Sequence, residues 1–154
     1  MRFSTKEDIE APIAHVYERV TDFRKFERSI LRRGIDLHRN DDSETVGVGT
    51  AWDVNFRYRG KERSAHIEMT RLDAPAHMAA KFESGGIDGQ TTLELVPLSP
   101  SRTRMMLVVD LSPRTLAARL LLQSLKLAKG NLTHRFKSKV ADVAEDIETA
   151  YTGI

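Results

Sequence analysis

The spacing of apolar residues changes its period along the chain, and this change limits the folds that the chain can adopt. Over residues 35–112, apolar and polar residues alternate, which is typical of strands with one buried face. Short turns rich in glycine, proline and aspartate separate the alternating segments. Because such turns are too short for the crossovers that parallel strands require, the sequence predicts an antiparallel meander.

Other periods lie on either side of the meander. Residues 2–11 alternate as a first strand, and residues 12–20 have helical spacing after Pro12, which suits the first turn of a helix. A second short helix is expected after Asp22, which can cap it. Helical spacing returns over residues 113–151, with a break or kink expected at Gly130-Asn131. Its predicted inner stripe consists of Leu132, Phe136, Val140, Val143, Ile147 and Tyr151.

The order of elements predicts an architecture. A sheet with one apolar face must cover that face, and the long final helix is the only element large enough to do so. The 154 residues have the usual size of one domain. We therefore expect a single α+β domain over residues 1–154, in which a curved antiparallel sheet wraps around the C-terminal helix. A sheet curved around one helix seldom closes tightly everywhere, and the gap is commonly a ligand cavity.

A family resemblance supports this architecture. The opening segment Ile9-Glu10-Ala11-Pro12-Ile13-Ala14-His15-Val16-Tyr17, the pair Asp22-Phe23 and the strand pattern resemble the START-like, Bet v 1-like (SRPBCC) superfamily. Within it, the chain is similar to the bacterial polyketide cyclase/dehydrase and lipid-transport group, over essentially its whole length. The resemblance implies the helix-grip fold, with a pocket between sheet and helix. The ligands of such relatives include lipids, polyketides, quinones and plant hormones.

The inner face of the sheet is the predicted ligand wall. Trp52, Val54, Phe56 and Tyr58 alternate with polar residues, so they share one face of the clearest strand. The predicted ligand-binding residues of the sheet and the helix are Trp52, Val54, Phe56, Tyr58, Ile67, Met69, Phe82, Leu93, Met105, Leu107, Leu132 and Phe136. An ordinary core is the alternative interpretation of this set.

The polar residues on the other face of the same hairpin also allow two interpretations. Asp53, Asn55, Arg57, Arg59 and Arg63 form a charged group that either faces a ligand or belongs to a solvated outer face with cross-strand ion pairs. The second interpretation is favoured, because such pairs are common on exposed sheet faces.

No established catalytic motif is present, and the superfamily has no universal one that could be carried over. Four residues are candidate catalytic groups: Glu7, Tyr58, Arg63 and His15. Glu7 lies on the apolar face of its strand, where a carboxylate is suited to acid-base catalysis. The alternative is that Glu7 reaches solvent or pairs with an arginine.

Metals, cofactors and nucleic acids are not expected as partners. The five histidines form no metal-binding motif, and no glycine-rich nucleotide signature is present. A net charge of +2, from 24 basic and 22 acidic residues, does not suggest nucleic-acid binding. The absence of cysteine suits a reducing compartment, and neither a secretory signal nor a membrane span is evident, so we expect a cytoplasmic protein.

Charge is segregated along the predicted final helix. Residues 113–141 contain seven cations and no acid, and residues 142–148 contain four acids and no base. A helix dipole favours the opposite order. The leucine-rich segment between Leu116 and Lys129 is therefore a candidate contact for an anionic membrane, an anionic ligand or another subunit. The alternative is a buried leucine face whose lysines are solvated or pair with acids elsewhere.

These observations rank three functions. Binding of a hydrophobic small molecule, such as a lipid, quinone, polyketide or aromatic metabolite, comes first, because an apolar face occurs without a catalytic constellation. A cyclase/dehydratase-type enzyme and a membrane-surface or protein-protein adaptor are the alternatives.

Overall fold

The predicted order of elements is confirmed in a computed structural model, which describes residues 1–152. The elements in chain order are β1 (Arg2–Ile9), α1 (Ile13–Val20), α2 (Phe23–Arg32), β2 (Asp36–Arg39), β3 (Ala51–Tyr58), β4 (Lys61–Asp73), β5 (His77–Ser84), β6 (Ile87–Ser99), β7 (Arg102–Pro113), α3 (Leu116–Lys126) and α4 (Lys129–Thr152).

The described strands form one curved sheet in the order β1-β7-β6-β5-β4-β3-β2, with every neighbouring pair antiparallel. From β2 to β7 each strand pairs with the next one in sequence, which confirms the meander. The first strand pairs with the last, so β1 and β2 form the two edges. The structure is therefore an α+β helix-grip fold, with two short helices after the first strand and a long helix at the C-terminus.

The alternation of β3 has the predicted direction. Trp52 and Val54 are buried on the inner face, and Asp53 and Asn55 are exposed on the outer face. The interpretation of the polar group on this hairpin as a solvated outer face agrees with the structure for Asp53, Asn55 and Arg57, which are exposed there. It was wrong for Arg63, which is the cross-strand partner of Phe56 and therefore lies on the inner face. Asp53 pairs with His66 across the strands at 2.8 Å, and Arg57 pairs with Glu62 at 3.8 Å. Exposed pairs of this kind add little stability.

The main core lies between the C-terminal half of α4 and the strands β1, β6 and β7. Val140, Ala144 and Ile147 are buried there against Ile9 and Leu95. Close packing of this kind leaves no room for a ligand at this end of the helix. A ligand cavity between the sheet and α4 is therefore expected towards the beginning of the helix.

The final helix is broken close to the predicted position, but the glycine that was expected to break it does not do so. The helix is interrupted at Leu127 and Ala128, and Gly130 lies inside the first turn of α4. The amides of Leu127 and Ala128 donate to Ser124 and Leu125 at 3.2 and 3.0 Å. These bonds span three residues instead of four, so a tightened last turn ends α3 without a glycine.

The predicted inner stripe of α4 was wrong at two positions. Val143 and Tyr151 are 42% and 41% exposed, whereas Ala144 is buried in the core. Ala144 lies four residues after Val140 and three before Ile147, so it shares their face. Its small side chain allows the helix to approach the sheet closely, which the spacing of larger residues did not indicate.

One strand boundary also differs from the prediction. β1 ends at Ile9, two residues early, where the amide of Ala11 donates to the carbonyl of Ile9 at 2.8 Å and turns the chain towards α1. The hairpin between β5 and β6 has a short turn, and Gly89 already lies inside β6. The turn itself consists of Gly85 and Gly86, both with positive φ, which glycine adopts without strain.

Candidate functional site

An apolar pocket of about 440 Å³ lies between the sheet and the two C-terminal helices. Its lining consists of Met1, Phe3, Phe82, Val109, Leu111, Leu125, Leu132 and Phe136. No side chain in this set carries a charge or a hydroxyl, amide or other strong hydrogen-bonding group. Such a surface binds by burying apolar area, so it favours hydrophobic ligands.

The sheet side of the pocket follows from the pairing of β1 with β7. Phe3 is the direct partner of Val109, so both side chains lie on the inner face of the sheet. The ring of Phe3 packs at 5.9 Å from that of Phe136 on α4, with the ring planes tilted by 54°. This tilted aromatic pair therefore connects the edge strand to the helix at the pocket wall.

The floor of the pocket contains a flat aromatic ring. Phe82 on β5 is the cross-strand partner of Gly89 on β6. A methyl group placed on Gly89 would lie 2.0 Å from the ring atom Cζ of Phe82. The ring therefore occupies the space that any other residue at position 89 would fill, and it lies along the sheet instead of projecting across the pocket.

The helix side of the pocket combines residues from two helices. Leu125 comes from α3, and Leu132 and Phe136 come from α4. Both helices reach the pocket because the chain breaks between them at Leu127. Leu125 and Leu132 lie on the two sides of this break, so the pocket lies next to it.

The start of α3 is anchored to the sheet. The hydroxyl of Thr115 accepts a hydrogen bond from the amide of Ala118 at 3.1 Å, which caps the helix. Arg114 pairs with Glu83, and with Asp88 at 3.0 Å. The hydrogen bond with Glu83 raises the pKa of Arg114 above its usual value. These contacts hold α3 over the β5–β6 hairpin.

The predicted ligand-binding residues divide into three groups. Phe82, Leu132 and Phe136 line the apolar pocket. Leu93 and Met105 belong to the packed core, and Leu107 packs against it. The others lie on β3 and β4, where Trp52, Val54 and Met69 are buried and Phe56 and Ile67 are partly buried. A ligand contact for any of these residues stays a prediction.

Trp52 is buried beneath the start of α2. Its ring lies 5.9 Å from that of Phe23, and its exposure is 6%. Within residues 1–152, the indole nitrogen of Trp52 has no hydrogen-bond acceptor. A buried donor without a partner costs about 1–3 kcal/mol.

Tyr58 does not lie in the apolar pocket. It is 54% exposed at the end of β3, and the guanidinium groups of Arg59 and Arg63 lie 5.4 and 5.6 Å from the centre of its ring. Arg63 also donates to the carbonyl of Tyr58 at 3.2 Å. Two cations stacked on an exposed ring form a local surface cluster, which differs from the predicted ligand wall.

The four candidate catalytic residues do not converge. Tyr58 and Arg63 lie together at the β3–β4 turn. His15 lies on α1, where its Nε2 atom is 3.1 Å from the carbonyl of Ile147 and its ring packs at 5.0 Å from Tyr151. Glu7 is partly buried on β1, beside Thr5 and Lys137, in a shallow surface groove. None of the four lines the apolar pocket.

Five lining residues were not predicted as ligand contacts: Met1, Phe3, Val109, Leu111 and Leu125. Phe3, Val109 and Leu111 were expected on inner faces of strands, so the alternating pattern indicated their direction but not their place in a cavity. Leu125 belongs to the leucine-rich segment, whose face towards the sheet the sequence did not distinguish.

A second cavity, also of about 440 Å³, lies between the α1–α2 junction, the loop before β3 and the end of β4. Its lining mixes apolar and charged residues, including Tyr17, Phe23, Arg39 and Leu72. The hydroxyl of Tyr17 donates to the carbonyl of His77 at 3.2 Å, and burial raises the pKa of Tyr17. Arg39 pairs with Glu27 at 2.5 Å. Because its lining is partly charged and Arg39 is already paired, this cavity is a weaker candidate for a hydrophobic ligand.

Two properties of the described residues concern metals and membranes. Within residues 1–152, no three histidine or acidic side chains come together as metal ligands do. No helix in the same range is both long and apolar enough to cross a bilayer.

Comparison with known proteins gives similarity in structure but not in sequence. No protein-family model and no curated protein matches the chain. Norcoclaurine synthase from Thalictrum flavum is 14% identical, with a TM-score of 0.67 over 99% of this chain and 86% of that chain. The Zhui aromatase/cyclase from Streptomyces sp. R1128 is 12% identical, with a TM-score of 0.65 over 97% and 94% of the two chains. Ara h 8.0201 is 12% identical, with a TM-score of 0.63 over 100% and 99%.

These similarities extend over nearly the whole chain at low identity, so they concern the fold. The fold that the resemblance to the START-like, Bet v 1-like superfamily implied is therefore confirmed. The chain therefore shares the helix-grip fold with these solved proteins.

Proposed function

We propose that the protein binds a hydrophobic small molecule in the pocket between the sheet and helices α3 and α4. The observation that carries this proposal is the lining itself, in which eight apolar side chains line an open pocket of about 440 Å³. This volume is within the range of ligand pockets, and burial of apolar surface is the dominant source of affinity there. A lipid chain, a quinone, a polyketide or an aromatic metabolite has the matching chemistry.

Known proteins with the same fold support a ligand of this kind. Norcoclaurine synthase from Thalictrum flavum has been solved in complex with dopamine and hydroxybenzaldehyde, which are small aromatic molecules. The aromatic rings of Phe3, Phe82 and Phe136 in the present pocket would stack on such a ligand.

The first test measures binding with a defined probe. The protein is titrated with the fluorescent dye 1-anilinonaphthalene-8-sulfonate, and saturated fatty acids, short-chain quinones and polycyclic phenols are then added as competitors. We expect at least one class to displace the dye and to raise the midpoint of thermal unfolding, because a ligand that binds only the folded state stabilises it.

A pocket-filling variant gives the control. Val109→Phe places a ring inside the pocket, and Val108→Phe places the same ring on the opposite face of the same strand. We expect Val109→Phe to weaken dye binding by about tenfold or more, equivalent to about 1.4 kcal/mol, while Val108→Phe leaves it unchanged. Equal dye binding by both variants, with folding verified by circular dichroism, would contradict the proposal.

An enzyme of the cyclase/dehydratase type is the second candidate, because an aromatase/cyclase and a synthase share this fold. Such catalysis relies on orientation of a flexible substrate together with acid-base groups. The apolar pocket contains no acid-base side chain, and Glu7 lies outside it. We therefore expect Glu7→Gln to bind the dye and its competitors with unchanged affinity. A Glu7→Gln variant that loses ligand affinity would favour a role for Glu7 in the site.

The segment between Leu116 and Lys129 is also a candidate contact, either for an anionic membrane or for another subunit. It adjoins the pocket through Leu125, so a partner bound there would lie beside the ligand.

A further inference from the structure

The outward face of α3 is unusually apolar. Leu116, Leu120 and Leu127 are 72%, 58% and 92% exposed, while Ala118 and Leu122 are buried against the sheet. With 3.6 residues per turn, the three exposed leucines fall on one stripe opposite the buried face. A surface helix normally carries polar residues there. The described part of the domain does not bury this stripe, which is named the leucine stripe here.

Unpaired cations occur on α3 and on the first half of α4. Of the seven basic residues between positions 113 and 141, only Arg114 forms an ion pair within residues 1–152. The other six are Arg119, Lys126, Lys129, Arg135, Lys137 and Lys139. The expectation that acids elsewhere in the fold neutralise these residues is therefore not met in the described part of the chain.

We propose that α3 docks on an anionic lipid surface, with the leucine stripe inserted among the acyl chains and the unpaired cations against the headgroups. Exposed leucines and unpaired lysines and arginines on one helix are the two components that interfacial helices combine. A second copy of the chain is the other occupant to consider. A symmetric dimer through this face would bring two equally positive surfaces together, and this repulsion favours an anionic partner instead.

Docking in this orientation places the pocket beside the bilayer. Leu125, on the opposite side of the same helix, lines the pocket, and Leu132 follows at the start of α4. An apolar ligand in the membrane would then have a short path into the protein. This last step rests on the proposed function, whereas the docking itself does not.

Vesicle flotation tests the docking without any ligand. The full chain is mixed with vesicles of phosphatidylcholine alone, or of phosphatidylcholine with phosphatidylglycerol. We expect flotation only with the anionic vesicles, and a decrease as salt is added, because salt screens the attraction. Failure of the wild-type protein to float with anionic vesicles at low salt would overturn the proposal.

Variants identify the surface. The double variant Leu120→Ser/Leu127→Ser removes two exposed leucines, so we expect flotation to be lost while thermal unfolding is unchanged. Arg119→Gln/Lys126→Gln should weaken partitioning into anionic vesicles by about tenfold or more and reduce its salt dependence.

Leu31→Ser is the matched control, because Leu31 is 54% exposed on α2, a helix that also carries several cations. Flotation of the leucine double variant at the wild-type level would overturn the proposal.

Two measurements distinguish membrane docking from dimerisation and from ligand binding. If light scattering shows a dimer that the double leucine variant converts to monomer, with no flotation by the wild type, the occupant is a second copy and the proposal is wrong. The pocket variant Val109→Phe should float normally, since Val109 lies on the inner face of the sheet. Normal flotation without dye binding by any variant would contradict the proposed ligand but not the docking.

Discussion

The ring of Phe82 lies directly over the backbone of Gly89, its cross-strand partner, at a distance that excludes any side chain at position 89. Gly89 does not have the positive φ that requires glycine in a turn. The ring alone therefore explains why a glycine occurs near the start of β6. This contact sets the shape of the pocket floor.

Gly89→Ala is expected to destabilise the protein by about 1–3 kcal/mol, because the new methyl group forces the Phe82 ring out of its place. The free energy of unfolding in urea measures this loss. Gly47→Ala is the control, since a methyl group there would contact nothing within 4 Å. In the double variant Phe82→Leu/Gly89→Ala, part of the loss should be recovered, and strictly additive losses would contradict the close contact.

The ion pair of Asp8 with Arg104 predicts a pH dependence of stability. Arg104 donates to both carboxylate oxygens, at 2.8 and 3.2 Å, and this hydrogen bonding holds the pKa of Asp8 below its ordinary value of 3.8. A carboxylate with a lowered pKa in the folded state stabilises it above 3.8, and this contribution is lost as the pH falls through the folded value. The pair is exposed, so the effect is small.

We expect Asp8→Asn to be less stable than the wild type at neutral pH, with a difference that shrinks as the medium becomes acidic. Urea unfolding at a series of pH values measures this difference. Asp42→Asn is the control, since Asp42 is exposed and forms no ion pair within residues 1–152. A difference between Asp8→Asn and the wild type that stays constant with pH would contradict the assignment.

The cap of α3 predicts a local effect. Thr115→Ala removes the acceptor for the amide of Ala118, which should cost about 1 kcal/mol, felt mainly in the first turn of α3. Hydrogen exchange of the amides of α3 would report faster opening. Thr115→Ser keeps the acceptor and should restore protection, whereas equal exchange in the alanine and serine variants would show that the hydroxyl has no capping role.

The hydroxyl of Tyr17 connects α1 to β5 through the carbonyl of His77. Tyr17→Phe should lower the free energy of unfolding by about 0.5–1.5 kcal/mol, the usual net contribution of one hydrogen bond. Tyr151→Phe is a suitable control, because the Tyr151 ring packs on His15 and its hydroxyl has no hydrogen bond within residues 1–152. If the two variants lose equal stability, the Tyr17 hydrogen bond makes no specific contribution.

The sequence predicted the sheet better than the pocket, for a physical reason. A strand has a period of two, so the alternation around Trp52 determined which side chains face inwards as soon as the strand was recognised. A cavity depends on where a helix fails to cover the sheet. The packed core around Ala144 lies at the end of α4, and the apolar pocket lies near the break at Leu127 between α3 and α4.

In the candidate site, too, the direction of a side chain was easier to predict than its position in the fold. The inward direction of Phe82 could be predicted from its strand, but its flat position required the pairing with Gly89, which only the register of two strands reveals. Tyr58 continued the alternating pattern of β3 but lies at its exposed end, because a periodic pattern does not indicate where a strand runs past the core. The separation of Glu7 from Tyr58 likewise depends on the long-range order of the strands.

The two edges of the sheet have a consequence for behaviour at high concentration. β2 is only four residues long, and β1 is packed against α4. Short or covered edges offer few free backbone groups to a strand of another molecule. Concentrated solutions of the folded protein should therefore resist fibril formation, and fibrils should appear only under conditions that first detach the C-terminal helix from β1.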